Sequence, residues 1–270
     1  MPFSLFHAPG KFAQLPKADA PYSLILCFFL LFFSPVKGNE ITIIIDDMGN
    51  SESDYRAFDL PKEVVFSVLP HTPYSSAFSQ LAERQNREVM LHMPMEALSQ
   101  AELGPGGIDS SMTRDIIQQT ILRAHRSVPN AIGMNNHMGS KLTQLTFPMQ
   151  ATMEYLAEHR MFFIDSKTTR YSRAEDIARQ NGVPVGHRHV FLDHLADRRH
   201  IQFQFARLKR IAKKYGFAVG IAHPHDVTID YLKQQLPQLQ DHGLALVTMG
   251  DALQPPNQQW VWNQPGQLSR

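Results

Sequence analysis

The chain has 270 residues, 43% hydrophobic and 19% charged, a composition that excludes a disordered or fibrous protein and suits one α/β domain of catalytic size. Its 26 Lys and Arg against 25 Asp and Glu leave a net charge of +1, so no whole-molecule field draws it to nucleic acid or to an anionic membrane.

At the N-terminus, Lys11 and Lys17 precede the apolar run SLILCFFLLFF from Ser23 to Phe33, and SPVKGNE follows with Val36 and Gly38 before a cleavage point. Residues 1–39 read as a secretory signal or an uncleaved N-terminal anchor. The run is shorter than the ~20 apolar residues of a spanning helix, so the mature form is expected to carry no membrane span. Cys27, the single cysteine, lies in this run; a processed chain would have no thiol for a disulfide or a nucleophile.

From Glu40 onward, apolar runs with β character (ITIII, VVFSVL, VMLHM, AIGMN, MFFID, VPVGHRHVF, FAVGIAH and LALVTM) alternate with helical patterns at 75–85, 113–127, 148–159, 196–215 and 228–239. Strands alternating with helices imply parallel pairing through crossovers. About seven or eight such units predict an α/β fold, a distorted β/α barrel of mostly parallel strands, with a doubly wound open sheet as the competing arrangement. In the fourth helical pattern Ile201, Phe205, Leu208, Ile211 and Ala212 share a face, and the basic residues around them read as its solvated side. ELGPGGIDSS reads as a loop; GPGG follows no strand, which argues against a nucleotide cradle. The Pro- and Gln-rich segment 254–270 reads as a flexible tail, in which Trp260 and Trp262 either pack back on the domain or stay exposed.

The first run ends in an unusual way, ITIIIDDMGN, with Asp46 and Asp47 side by side at the mouth of an apolar strand. Adjacent carboxylates resist desolvation, so they persist most easily where a cation or a reaction uses them. Polar residues also close the later strands: His92; Asn135, Asn136 and His137; Asp165 and Ser166; Asp193; His223 and His225. In a parallel β/α fold these ends form one rim, where chemistry collects. Taken singly, such an Asp is a cap or turn residue and such a His a core residue; together, two imidazoles and a carboxylate are the donor set of an open Zn²⁺ site. One of the two aspartates can bind the ion while its neighbour takes a proton from water. His187, His189, His194 and His200 are read as structural.

The motifs IIIDDMG, LHMPME, NNHMGS, FFIDSKT, RHVFLD and AHPH, in this order over residues 40–253, resemble the divergent polysaccharide deacetylase family of bacterial envelope proteins, distant relatives of NodB-type carbohydrate esterases. The resemblance implies a periplasmic hydrolase that removes acetyl groups from a polysaccharide with a divalent metal, Zn²⁺. It makes Asp46 the base and Asp47 a metal ligand. NodB-type enzymes take two further ligands from His-x-x-x-His; here only His92 is present and Glu96 stands four residues on, so His137 becomes the third ligand, with Glu96 as the alternative. His223 corresponds to the leaving-group acid, with Asp193 or Asp165 orienting it or a ligand, and with Asn136, Ser166 and His225 lining the site. The Arg-Pro-Pro motif of those enzymes is missing, which keeps open a non-catalytic envelope protein that holds the metal and binds glycan or a cell-envelope partner. A metallo-amidase or phosphoesterase is a third reading, though the rim motifs hold few cations for phosphate.

Overall fold

The computed structural model describes residues 39–254. The expected signal or anchor with Cys27, and the tail with Trp260 and Trp262, lie outside the described residues. In chain order the elements are β1 (Asn39–Met48), β2 (Val65–Val68), α1 (Ser75–Arg84), β3 (Val89–Met95), α2 (Arg114–Ser127), β4 (Ala131–Met138), α3 (Thr146–Glu158), β5 (Phe162–Asp165), α4 (Ala174–Gln180), β6 (Val185–His187), β7 (Val190–Phe191), α5 (Arg198–Tyr215), β8 (Phe217–Ala222), α6 (Asp226–Gln235), β9 (Leu244–Leu246) and α7 (Met249–Leu253). No helix among the described residues is long and apolar enough to cross a membrane.

The sheet is parallel throughout and runs β6-β5-β4-β3-β2-β1-β8-β7, with β9 beside the start of β1. It curls into the distorted barrel that the alternating pattern implied. One expected element is divided: VPVGHRHVF reads as a single strand, but its first half pairs with β5 and its second with β8. Between them Arg188 N–H donates to Asp165 O at 2.9 Å and His189 N–H to Val219 O at 2.9 Å. This short seam stitches the two outer edges of the sheet together.

Helices close where their ends are satisfied. Asp197 caps α5 by accepting from Arg199 and His200 N–H, and Gly216 ends it in the left-handed region at φ 86°. Its buried face carries Ile201, Phe205, Leu208 and Ala212, which is the stripe its sequence shows.

Two-residue alternation along the strands sorts the interior into two layers. Ile41, Ile43 and Ile45 face the helices, whereas Ile44 joins Val65, Met90, Phe162, Ile164, Val219, Ile221 and Met249 in a separate inner cluster. One step of two residues further along each inner file are Asp46, Ser67, His92 and His223. The barrel is therefore packed with apolar side chains low down and capped by polar ones. Gly133, opposite Met90, makes room for this filling: a Cβ there would lie 2.2 Å from the Phe162 ring.

Candidate metal centre

Alternation alone would send Asp47 away from Asp46. The strand solves this with an irregularity: pairing of β1 with β2 slips between Ile45 and Met48, and Asp47 takes a left-handed backbone at φ 57°. Asp is among the residues that tolerate this conformation. Both carboxylates thus reach one cavity of about 430 Å³, lined also by His92, Asn136, His137, Ser166, Lys167, Arg188, Phe191 and His223.

Three atoms converge there. Asp47 Oδ1 lies 3.0 Å from His92 Nε2 and 2.9 Å from His137 Nδ1, and the two nitrogens are 3.2 Å apart. The hydrogen-bond network behind them fixes what these atoms are. Asn135 Nδ2 donates to Asp46 Oδ1 at 2.8 Å, so its Oδ1 is the acceptor that receives His92 Nδ1–H at 2.6 Å and Ser67 Oγ–H at 2.5 Å. In its neutral form the His92 ring consequently aims the lone pair of Nε2 at Asp47, and in its protonated form it aims Nε2–H there. Asp47 Oδ1 is buried and takes no well-aligned hydrogen bond. With both facing nitrogens unprotonated, three lone pairs would meet at these distances and repel unless a proton or a metal cation lies among them. A tetrahedral Zn²⁺ with bonds of about 2.0–2.1 Å keeps its ligand atoms about 3.3 Å apart, close to this triangle. The residues present fit the ion.

The electrostatics describe the same demand for positive charge. Burial opposes protonation of His92, yet Asp46 and Asp47 outweigh it and raise the ring to about 9. Burial pushes the Asp47 carboxyl up, but His137 and His92 overcome this and hold it far below the carboxylate range. Asp46 is raised, mainly by burial, against the charges of His92 and His223 and the bond from Asn135.

His223 stands across from the triangle, its Nε2 3.6 Å from Asp47 Oδ2. Its Nδ1–H donates to Asp193 Oδ1 at 3.0 Å, while Asp193 Oδ2 accepts from His223 N–H and Thr228 Oγ at 2.8 Å each. Burial would lower this imidazole, but the Asp193 bond raises it. Asp193, not Asp165, is the carboxylate that orients it.

The remaining expected residues are placed as follows. Asp165 is buried and engages Lys167, through its N–H at 2.8 Å and Nζ at 3.1 Å. Asn136 accepts from Ser166 N–H and donates to Met138 O, bracing the loop after β5. His225 is the exposed N-cap of α6 and lines an adjoining cavity with His194, Asp193 and His223. Glu96 is not brought to the triangle. β3 stays extended to Met95, which carries a residue four positions on about 13 Å from His92, and the Glu96 carboxylate is held by Lys141 at 2.6 Å and Ser110 N–H at 2.9 Å. Of the four histidines read as structural, His189 Nδ1 accepts from Val219 N–H and His187 pairs with Glu175.

Sequence reading missed three features. It noted Asn135 only as a polar strand end, although Asn135 joins Ser67, His92 and Asp46. It passed over Arg188 and Lys167, which line the cavity and correct the expectation of few cations at the rim. It also stopped the fourth strand at Asn135, whereas β4 continues to Met138 and delivers His137 on the same inward file.

Residues 43–253 match a family model described as divergent polysaccharide deacetylase. An uncharacterized protein of Haemophilus influenzae is 36% identical over 214 residues, covering 79% of this chain and 76% of its own length. The uncharacterized protein YibQ of Escherichia coli is 34% identical over 217 residues, covering 80% and 68% respectively. The crystal structure of an uncharacterized protein from Agrobacterium tumefaciens shares the fold, with a TM-score of 0.74 at 24% identity, over 80% of this chain and 89% of that one.

Proposed function

The chain belongs to the divergent polysaccharide deacetylase family, and from that premise we propose that it is a metal-dependent hydrolase that removes acetyl groups from an envelope polysaccharide. The observation that carries this reading is the triangle of Asp47 Oδ1, His92 Nε2 and His137 Nδ1, unbonded at its carboxylate corner, beside a buried second carboxylate and an imidazole braced by Asp193. Asp47, His92 and His137 would hold the ion. The nitrogen-rich donor set suits Zn²⁺ over Mg²⁺ or Ca²⁺.

When bound, such an ion supplies Lewis-acid chemistry, polarising an acyl carbonyl and making water more acidic. Asp46 takes the proton of the attacking water; Asn135 holds one of its oxygens and leaves the other for this task. His223 gives a proton to the departing sugar nitrogen or oxygen, and Asp193 keeps the ring turned so that Nε2 faces the cavity. Asn136 and Ser166 hold the rim beside the acyl position, and His225 borders the groove where the glycan continues. Residues 40–253 form the hydrolase unit, 1–39 direct export, and the work is done in the periplasm.

The test is acetate release from N- and O-acetylated oligosaccharides by the Zn²⁺-loaded protein. Turnover that disappears in Asp46→Asn with metal content unchanged supports the proposal. Glycan binding with no acetate release from any substrate would replace it by the binding-protein reading, and undiminished Zn²⁺ affinity in both Asp47→Ala and His92→Ala would remove the metal.

A further inference from the structure

The cavity holds a cation that the reaction above does not use. Arg188, in the seam between β6 and β7, lines it together with Ser166, Lys167 and Thr168. Two of the five guanidinium N–H donors are committed: Nε donates to Ser166 O at 2.7 Å and Nη2 to Lys167 O at 2.9 Å. Nη1 has no partner among the described residues, and no carboxylate there comes within ion-pairing distance of the group. Lys167 differs, because Asp165 at 3.1 Å and Glu175 at 2.5 Å compensate its charge. Arg188 is half-buried, its guanidinium 5.3 Å from the centre of the Phe191 ring. Burial disfavours its charge and Asp46 and Asp165 favour it only from beyond ion-pairing distance, while two backbone carbonyls explain hydrogen bonds but do not require a full charge. Ser166 adds a second open position, since its hydroxyl is buried without a partner.

We infer that the seam side of the cavity, Arg188 with Ser166, is a subsite for an oxyanion, so that the glycan handled here is acidic and bears a carboxylate or phosphate close to its acetylated sugar. A forked guanidinium with free donors matches either group, and the hydroxyl supplies one donor more. The inference rests on the hydrolase reading for its place beside the acyl site, but its test needs no turnover.

The Zn²⁺-loaded protein is titrated calorimetrically with three probes of equal length: chitotetraose; the tetrasaccharide of alternating N-acetylglucosamine and N-acetylmuramic acid, which differs by its lactyl carboxylates; and 6-O-phosphorylated chitotetraose. At least one anionic probe should bind about tenfold more tightly than chitotetraose, and which one does so identifies the substituent. Arg188→Gln should erase that preference while leaving chitotetraose affinity within about twofold. Ser166→Ala, which breaks no existing side-chain bond of the hydroxyl, should reduce the anionic affinity more than the neutral one and serves if the arginine variant folds poorly. Equal affinity of the wild type for all three probes, absence of binding by all three, or an equal loss for neutral and anionic probes in either variant overturns the inference. Acetate release is measured on the same samples: preference without release overturns the hydrolase reading and leaves the subsite standing.

Discussion

Asn135 offers the most direct way to test how the proposed metal ligands are held. It is fully buried and joins three groups: Ser67 Oγ at 2.5 Å, His92 Nδ1 at 2.6 Å and Asp46 Oδ1 at 2.8 Å. Asn135→Ala leaves all three without their partner. A buried polar group stripped of its hydrogen bond costs about 1–3 kcal/mol. Because water entering the new space recovers part of this, the expected destabilisation is about 3 kcal/mol rather than the full sum. The second effect is on the metal. With Nδ1 unbound, His92 can place its proton on either nitrogen and turn about its side-chain axis, and loss of such outer contacts lowers metal affinity about 10–100-fold. Competition for Zn²⁺ against a chromogenic chelator measures the affinity, and urea unfolding of the metal-free protein measures the stability. Ser67→Ala is the control: it removes one donor and keeps the His92 and Asp46 bonds, so it should cost about 1 kcal/mol and leave Zn²⁺ affinity nearly unchanged. If Asn135→Ala folds and binds Zn²⁺ as tightly as the wild type, the network does not orient the ligand.

Three further outcomes are expected. His223→Gln should reduce acetate release about 10²–10⁴-fold while Zn²⁺ affinity stays within about threefold, and Asp193→Asn should lower kcat in the same direction; a large loss of Zn²⁺ binding in His223→Gln would make His223 a ligand. Burial, assisted by His159, pushes His125 down to about 4, so above its ordinary value of about 6.5 there is no penalty. As pH falls from there the unfolded imidazole takes a proton that the folded one refuses, and stability drops by about 2.5 kcal/mol by pH 4.5. Urea midpoints at pH 7 and 4.5 should show this component in the wild type and not in His125→Gln; equal pH dependence in the two would refute it. Gly133→Ala should destabilise by about 1–3 kcal/mol or more in thermal melts, with partial recovery when Phe162→Leu is added, because the new methyl would meet the Phe162 ring; a melt unchanged by Gly133→Ala would contradict that packing.

Much of the rim was legible because a two-residue period is a local property. Ile44 and Asp46, Met90 and His92, and Ile221 and His223 are inward pairs that can be counted off the sequence, and parallel crossovers then put all their ends on one side. What was not legible depends on lateral register. Nothing near Asn135 announces that it will lie opposite His92, so its role as a junction emerges only when β3 and β4 align. Glu96 looked like a substitute ligand because spacing was judged without knowing whether the chain there was coiled or extended; an extended strand moves it out of reach. The divided strand is the same problem at larger scale. Each residue of VPVGHRHVF has the composition of a strand, but which neighbour it joins is decided by strands more than twenty residues away on either side. Asp47 lies between these cases: a pair of acids ending a strand was a clear anomaly, but the backbone reversal that reconciles it with alternation is visible only in the fold.

The stitched edge also separates two kinds of precision. Asp46, Asp47, His92, His137 and His223 project from β1, β3, β4 and β8 or their ends, strands that adjoin one another in the sheet through β2. The wall that carries the proposed oxyanion subsite hangs on two residues spanning a gap between β6 and β7. A change of sequence at the gap can reshape what the enclosure accepts while the reacting groups keep their spacing. Under the proposed function, selectivity can thereby be retuned at the seam on a frame that holds the rim residues still.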